Sequence, residues 1–247
     1  MNKHFILSTF TTLLFQLCHP HGIDAQWEAA PAPGSVGVNY VQKIGSRLEA
    51  VTTAGAFYSD DDGLVWQRRT NTPGTSIRHQ NSVYYTYSSA NVEFYKSTDL
   101  GVTWESIAAN SGFLGVSITD FTVLNDTIFA TNSYKVWRNN PGSSDWTVVY
   151  ENIQFGDLRL SNEDGYVWLI KKQILRSSDQ GNSWQNVTPA GINVRSAAIH
   201  GDTIMASPQS GAGAYFSADN GQLWSSRGNP PTGILHFSDG VSTFISG

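Results

Sequence analysis

The chain has 247 residues, of which 40% are hydrophobic, 12% aromatic and only 14% charged, and its net charge is −5. That length and apolar share suffice for a large buried core, and low charge with abundant Gly, Ser, Thr and Asn favours strands and turns over long solvated helices. The acidic balance excludes a basic nucleic-acid surface, because Arg68-Arg69 and Lys171-Lys172 are isolated pairs and not a cluster.

At the N-terminus Lys3 and His4 precede an apolar stretch running from Phe5 to Leu17. A charged segment followed by an apolar one too short to span a bilayer has the form of an export leader. The expectation is a signal peptide over 1–25, with cleavage after Ala25 and a mature chain beginning Gln26-Trp27. Leu17 is too large for the position before a lipidated cysteine, so Cys18 is not expected to carry lipid. Cys18 is the sole cysteine, which leaves the mature domain to be held by packing and not by disulfides. No later run approaches about 18 apolar residues, so no transmembrane helix is expected and the product is secreted or at the cell surface.

Beyond the leader the chain is periodic. Trp27, Trp66, Trp104, Trp146, Trp184 and Trp224 recur at intervals of about 40 residues. Four of them close the same pattern, S-x-D-x-G-x-x-W, called the box below. Its copies are Ser59, Asp61, Gly63, Trp66; Ser97, Asp99, Gly101, Trp104; Ser177, Asp179, Gly181, Trp184; and Ser217, Asp219, Gly221, Trp224. Trp146 ends a degenerate copy, Asn139 to Trp146, which keeps turn-formers but loses the pattern.

Each period reads as four short strands. First strands are expected at Val38–Ile44, Ile118–Leu124 and Ser196–Ile199, and second strands at Arg47–Thr52, Val83–Tyr87, Thr127–Ala130 and Tyr166–Ile170. Tight-turn residues separate them, among them Gly45-Ser46, Gln80-Asn81, Asn125-Asp126, Gly201-Asp202 and Asp239-Gly240. A third strand, such as Val92–Lys96 or Ile174–Arg176, enters the box, and a fourth begins near its Trp. β-Branched and aromatic residues fill these runs, and no segment keeps a 3.6-residue period over several turns. Four antiparallel strands every 40 or so residues match one blade of a β-propeller.

The box resembles the Asp-box, or BNR repeat, found in bacterial sialidases, xyloglucanase-like glycoside hydrolases, sortilin-type receptor domains and photosystem II assembly factors. In those families it occupies the hairpin between a blade's third and fourth strands. The resemblance implies an all-β propeller over 26–247, with about five complete blades and partial blades at both ends, six or seven when complete. Local chemistry agrees with that placement. A turn Asp accepts backbone N–H bonds, Gly supplies positive φ, and Trp carries apolar area into the gap between sheets. The repetition of the four Asp residues on separate units points to a structural role and not to a paired-carboxylate site, whose two groups must lie within about 5–10 Å.

Catalytic residues, if present, lie outside the boxes. The Phe-Arg-Ile-Pro motif of sialidases is absent, and the nearest string is Ser76-Ile77-Arg78-His79. Arg47, Arg78, Arg159 and Arg195 are the candidates for a carboxylate-binding cluster. Asp120, Asp157 and Glu151, read near the starts of first strands, are the candidate acids. No motif selects any of them. His79, His200 and His236 fall near the ends of first strands without a ligand-like carboxylate spacing. No metal or cofactor is expected, and the Asn125-Asp126-Thr127 and Asn186-Val187-Thr188 sequons decide nothing.

The last segment supplies strands at Ile234–Ser238 and Val241–Ile245, which with a strand at Trp27 would leave a closing blade of three strands lacking its box. The expectation is a domain continuing beyond Gly247. The functional expectation is an exported propeller that binds a protein or carbohydrate ligand at its face. The alternative is a glycoside hydrolase with part of its site outside this chain.

Overall fold

The computed structural model describes residues 14–16, 38–44, 46–74, 76–109, 118–132, 134–151, 159–163, 165–210, 213–227, 234–238 and 243–246. It is all-β and divides into two compact units, Met1–Arg69 with Pro189–Gly247, and Thr70–Thr188. The strands in chain order begin with β1, Leu14–Gln16. Five four-stranded antiparallel blades follow. They are β2–β5 (Val38–Ile44, Arg47–Thr52, Gly55–Ser59, Gln67–Arg68), β6–β9 (Ser76–Gln80, Val83–Ser88, Glu93–Ser97, Glu105–Ala109), β10–β13 (Asp120–Leu124, Thr127–Thr131, Lys135–Asn139, Thr147–Glu151), β14–β17 (Arg159–Glu163, Tyr166–Ile170, Ile174–Ser177, Gln185–Asn186) and β18–β21 (Val194–His200, Thr203–Pro208, Ala214–Ser217, Ser225–Arg227). The last two strands are β22, Ile234–Ser238, and β23, Thr243–Ser246.

Each blade pairs its strands strictly in sequence order, as a meander joined by short turns. Four strands of two to seven residues bury one face against each neighbouring blade, so a blade is stable only in company. In every blade the fourth strand starts one residue after the repeating Trp. The expected strands thus match to within a residue or two at their ends; the first strand read from Ile118 starts at Asp120, and the second C-terminal strand is Thr243–Ser246.

The sixth sheet has the order β1-β23-β22, with Leu14 opposite Ser246 and Gln16 opposite Phe244. Its third strand therefore comes from the apolar stretch before Cys18. The segment around Trp27, the Ala25 boundary, Asp157 and the turn at Asp239-Gly240 lie outside the described residues.

Within the Thr70–Thr188 unit, β10 lies beside β6 and β14, so three blades meet through their first strands in the manner of a propeller. Between the blades of β6–β9 and β10–β13 the core holds Tyr85, Tyr87, Phe94, Phe121, Val123, Ile128 and Trp137, with Trp146 packed against it. Phe94 meets Phe121 edge-on at 5.4 Å and Trp146 at 5.4 Å between ring centres. A second core joins Leu124, Phe129 and Val136 to Val167, Leu169 and Leu175, with Trp184 and Tyr150 at its margin. In both cases the repeating Trp packs on the preceding blade.

One polar tie crosses the first of these cores. Arg78, in β6, donates from Nε to the Phe121 carbonyl at 2.9 Å and pairs with the Asp120 carboxylate at the start of β10. Both side chains are under 10% exposed, and Asp120 also accepts the Phe121 N–H at 2.9 Å. Close backbone approach is used as well. Gly74 passes so near β7 that a Cβ there would overlap the Tyr87 carbonyl oxygen, backbone that cannot swing aside.

Arg78→Ala strands a buried carboxylate and is expected to cost about 3–5 kcal/mol in urea denaturation. The paired replacement Arg78→Met with Asp120→Leu should cost less than Arg78→Ala alone; an equal or larger loss contradicts the tie as described.

Candidate functional site

In all four intact boxes the serine is the last residue of the third strand and is buried: Ser59, Ser97, Ser177 and Ser217. Its hydroxyl does two jobs. It donates to the Asp two residues on, at 2.6 Å in Asp61, 2.7 Å in Asp99, 2.8 Å in Asp179 and 2.7 Å in Asp219. It accepts the N–H of the box glycine, at 2.9 Å from Gly63, 2.8 Å from Gly101, 2.7 Å from Gly181 and 2.8 Å from Gly221. The same Asp oxygen then accepts the N–H four residues on, from Val65 at 2.9 Å, Thr103 at 2.9 Å, Ser183 at 2.8 Å and Leu223 at 2.9 Å.

Two consecutive left-handed residues allow this closure. Asp62 and Gly63 have φ of 55° and 91°, and the pairs Leu100-Gly101, Gln180-Gly181 and Asn220-Gly221 repeat it. The glycine is the expected one. The residue before it is not, since Leu100 at φ 60° is in a region that branched and bulky side chains avoid.

These bonds hold all four carboxyls below the usual Asp range of 3.8. For Asp61 and Asp219 the leading causes are the Ser59 hydroxyl and the Leu223 N–H respectively. For Asp99 the Thr103 hydroxyl leads, followed by the Thr103 N–H. For Asp179 the Ser183 hydroxyl leads and the value falls to about 2. A general acid working near neutrality needs the opposite shift. The lone pairs are spent on the turn, which is chemistry suited to holding backbone and not to transferring a proton.

In the degenerate copy Asn139 takes the serine's place at the end of β12, and Pro141 stands where the Asp would be. The Asn139 amide donates to the Ser143 carbonyl at 2.8 Å and the Asp145 carbonyl at 2.9 Å. The turn is closed by an amide that donates twice, where the serine hydroxyl donates once and accepts the glycine N–H, and Trp146 still reaches the preceding blade.

The boxes also tie blades together. Trp184 donates its indole N–H to the Val149 carbonyl in β13 at 3.0 Å, and Arg138 in β12 donates to the Gln180 carbonyl at 2.8 Å and Asn182 Oδ1 at 3.2 Å. Gly181 rests on Val149 and Phe129.

The candidate arginines whose side chains are described have separate settings. Arg47 pairs with Asp60 at 2.6 Å on an exposed face, Arg78 is consumed by Asp120, and Arg195 is exposed; the Arg159 side chain lies outside the described residues. Asp120 starts a first strand, as read. Glu151 does not: it ends β13, where it pairs with Lys135 at 3.0 Å. The short spacing between Trp146 and Glu151 leaves room only for the fourth strand. His79 accepts the Ser82 N–H at 3.1 Å and burial lowers its pKa; His200 is exposed. The His236 side chain lies outside the described residues. Among the described residues no group of three His, Cys, Asp or Glu is placed to hold a metal, and no helix is long and apolar enough to cross a membrane.

A buried ion pair had no local signal in the sequence. Glu49 in β3 pairs with Arg69, both nearly inaccessible. The Arg69 and Arg47 guanidinium carbons lie 4.9 Å and 4.5 Å from the Tyr58 ring centre. The residues are 20 positions apart in sequence.

No protein-family profile matches the chain. It is 22% identical over 187 residues to the xyloglucanase Xgh74A of Acetivibrio thermocellus, across 60% of this chain. The aligned region spans only 22% of that curated relative. Among solved structures, YCF48 bound to a D1 peptide overlays 98% of this chain and 91% of its own at a TM-score of 0.63 and 18% identity. The GH74 enzyme of Niastella koreensis overlays 77% of this chain and 38% of its own at a TM-score of 0.52 and 16% identity. The fold is a β-propeller.

For Asp179 the folded value of about 2 lies below the ordinary 3.8, so protonation favours the unfolded chain. Its contribution is complete above 3.8 and is lost as pH falls through about 2. Ser183→Ala removes the leading stabiliser of the carboxylate and should move acid unfolding to higher pH, read by circular dichroism. An unmoved acid transition contradicts the bonding of this turn.

Proposed function

We propose that the chain is an exported binding or scaffold propeller for a protein or glycan at the surface, with the protein partner favoured. One observation carries this reading: the overlay with the peptide-bound YCF48 structure takes in nearly all of both chains. Propeller faces offer rigid concave surfaces fitted to such partners. The box carboxylates support the reading too, since each is committed to its own turn. In this proposal the boxes are structural staples of the Asp-box kind.

The second reading is a glycoside hydrolase, favoured by the identity to Xgh74A. In xyloglucanase-like enzymes two Asp residues act across a cleft, and here the remainder of such a site would lie outside this chain. The GH74 overlay takes in 38% of that enzyme, which matches a chain carrying only part of such an architecture.

Export rests on the leader proposed over 1–25. Leu14–Gln16 lies inside that leader and pairs with β23. Cleavage after Ala25 would therefore leave β23 as an open sheet edge.

The full chain is expected to retain a peptide or glycan from a displayed library while leaving xyloglucan and sialosides unhydrolysed. Steady hydrolysis of either substrate that follows the purified chain and is lost when the chain is removed overturns the binding reading. For export, N-terminal sequencing of protein recovered outside the cell should begin at Gln26.

A further inference from the structure

Asn220-Gly221 is the only Asn-Gly pair in the chain, and it sits at the tandem left-handed corner of the fourth box. Asn-Gly is the dipeptide most open to spontaneous deamidation, because glycine puts no Cβ in the way of its own nitrogen. The backbone nitrogen of Gly221 attacks Cγ of Asn220, the Cγ–N bond breaks and ammonia leaves, giving a succinimide. Water then opens the ring at either carbonyl and yields aspartate or isoaspartate.

The fold holds both reacting groups out of that geometry. The Gly221 N–H is engaged by Ser217 Oγ at 2.8 Å, and the Gly221 carbonyl accepts the Trp224 indole N–H at 3.1 Å. The Asn220 N–H is fixed to the Asp202 carbonyl at 2.8 Å. Asn220 Oδ1 is buried with no hydrogen-bond partner among the described residues, so nothing there polarises the amide for attack. With Gly221 held at its N–H and, one peptide on, at its C=O, its nitrogen is kept from turning toward Cγ.

We propose that Asn220 is a latent deamidation site gated by the box that contains it, so that its conversion records opening of the β20–β21 hairpin. The change is one-way. It puts a second carboxylate beside Asp219, and the isoaspartate form lengthens the main chain by one carbon at the corner where Asn220 and Gly221 have φ of 58° and 84°. A turn opened long enough to react then fails to close.

The test follows deamidation of the full chain in mildly alkaline buffer by peptide mass mapping with separation of isoaspartate. Conversion at Asn220 should be about ten-fold or more slower in the folded chain than in guanidinium, as protection follows the open fraction. Ser217→Ala removes the acceptor of the Gly221 N–H together with the donor to Asp219 and should speed conversion about five-fold or more, the effect of losing at least one such bond. Ser177→Ala, in the box that holds Gln180-Gly181, should leave Asn220 unchanged. Should Ser217→Ala fail to fold, Trp224→Phe removes the indole donor to the Gly221 carbonyl while keeping an aromatic ring, and should give a smaller rise. Equal rates in folded and unfolded chain, or equal rates at Asn220 in the alanine variants, overturn the proposal.

Discussion

Four of the five four-stranded blades depend on one buried serine hydroxyl at the end of the third strand. Donating to a carboxylate and accepting from a glycine N–H, it closes a turn that no ordinary side chain could enter. The closure forces two left-handed residues in succession, reverses the chain, and starts the fourth strand one residue after the tryptophan. Within the Thr70–Thr188 unit the tryptophan is then delivered against the preceding blade, as Trp184 is against Tyr150 at 5.7 Å. Local hydrogen bonding and long-range packing are thus set by the same eight residues.

The exception at Asn139 shows which part of that device is indispensable. Serine, aspartate and the glycine at its usual position are all lost, yet an amide donating to two carbonyls closes the turn. What persists is the reversal and the placing of Trp146 against Phe94. A blade tolerates a change of polarity in its turn, but it has no substitute for apolar area in the gap between sheets.

Strands, turns and blade order were legible because they are written locally and repeatedly: alternation, turn residues and a tryptophan ruler. The resting place of the arginines was not. Arg78 meets Asp120 across 42 positions, and neither residue's neighbours announce a partner. Glu49 and Arg69 carry no local pattern either. For Glu151 the degenerate box blurs where one blade ends, and the pairing of Lys135 with Glu151 shows it to be an outer-strand residue. The pairing of Leu14–Gln16 with β23 is hidden for a different reason, since the same apolar run reads equally well as a leader. The function stays least legible of all, because the repeated acids that draw the eye are those the turns have already used.

Amide hydrogen exchange of the native chain at Gly63, Gly101, Gly181 and Gly221 tests the central claim most directly. If each N–H is held by its buried serine, all four exchange with the protected strand amides and slower than the exposed turn residues beside them. Exchange of these glycines at the rate of open loops would contradict the account and return the box carboxylates to the list of groups free for chemistry.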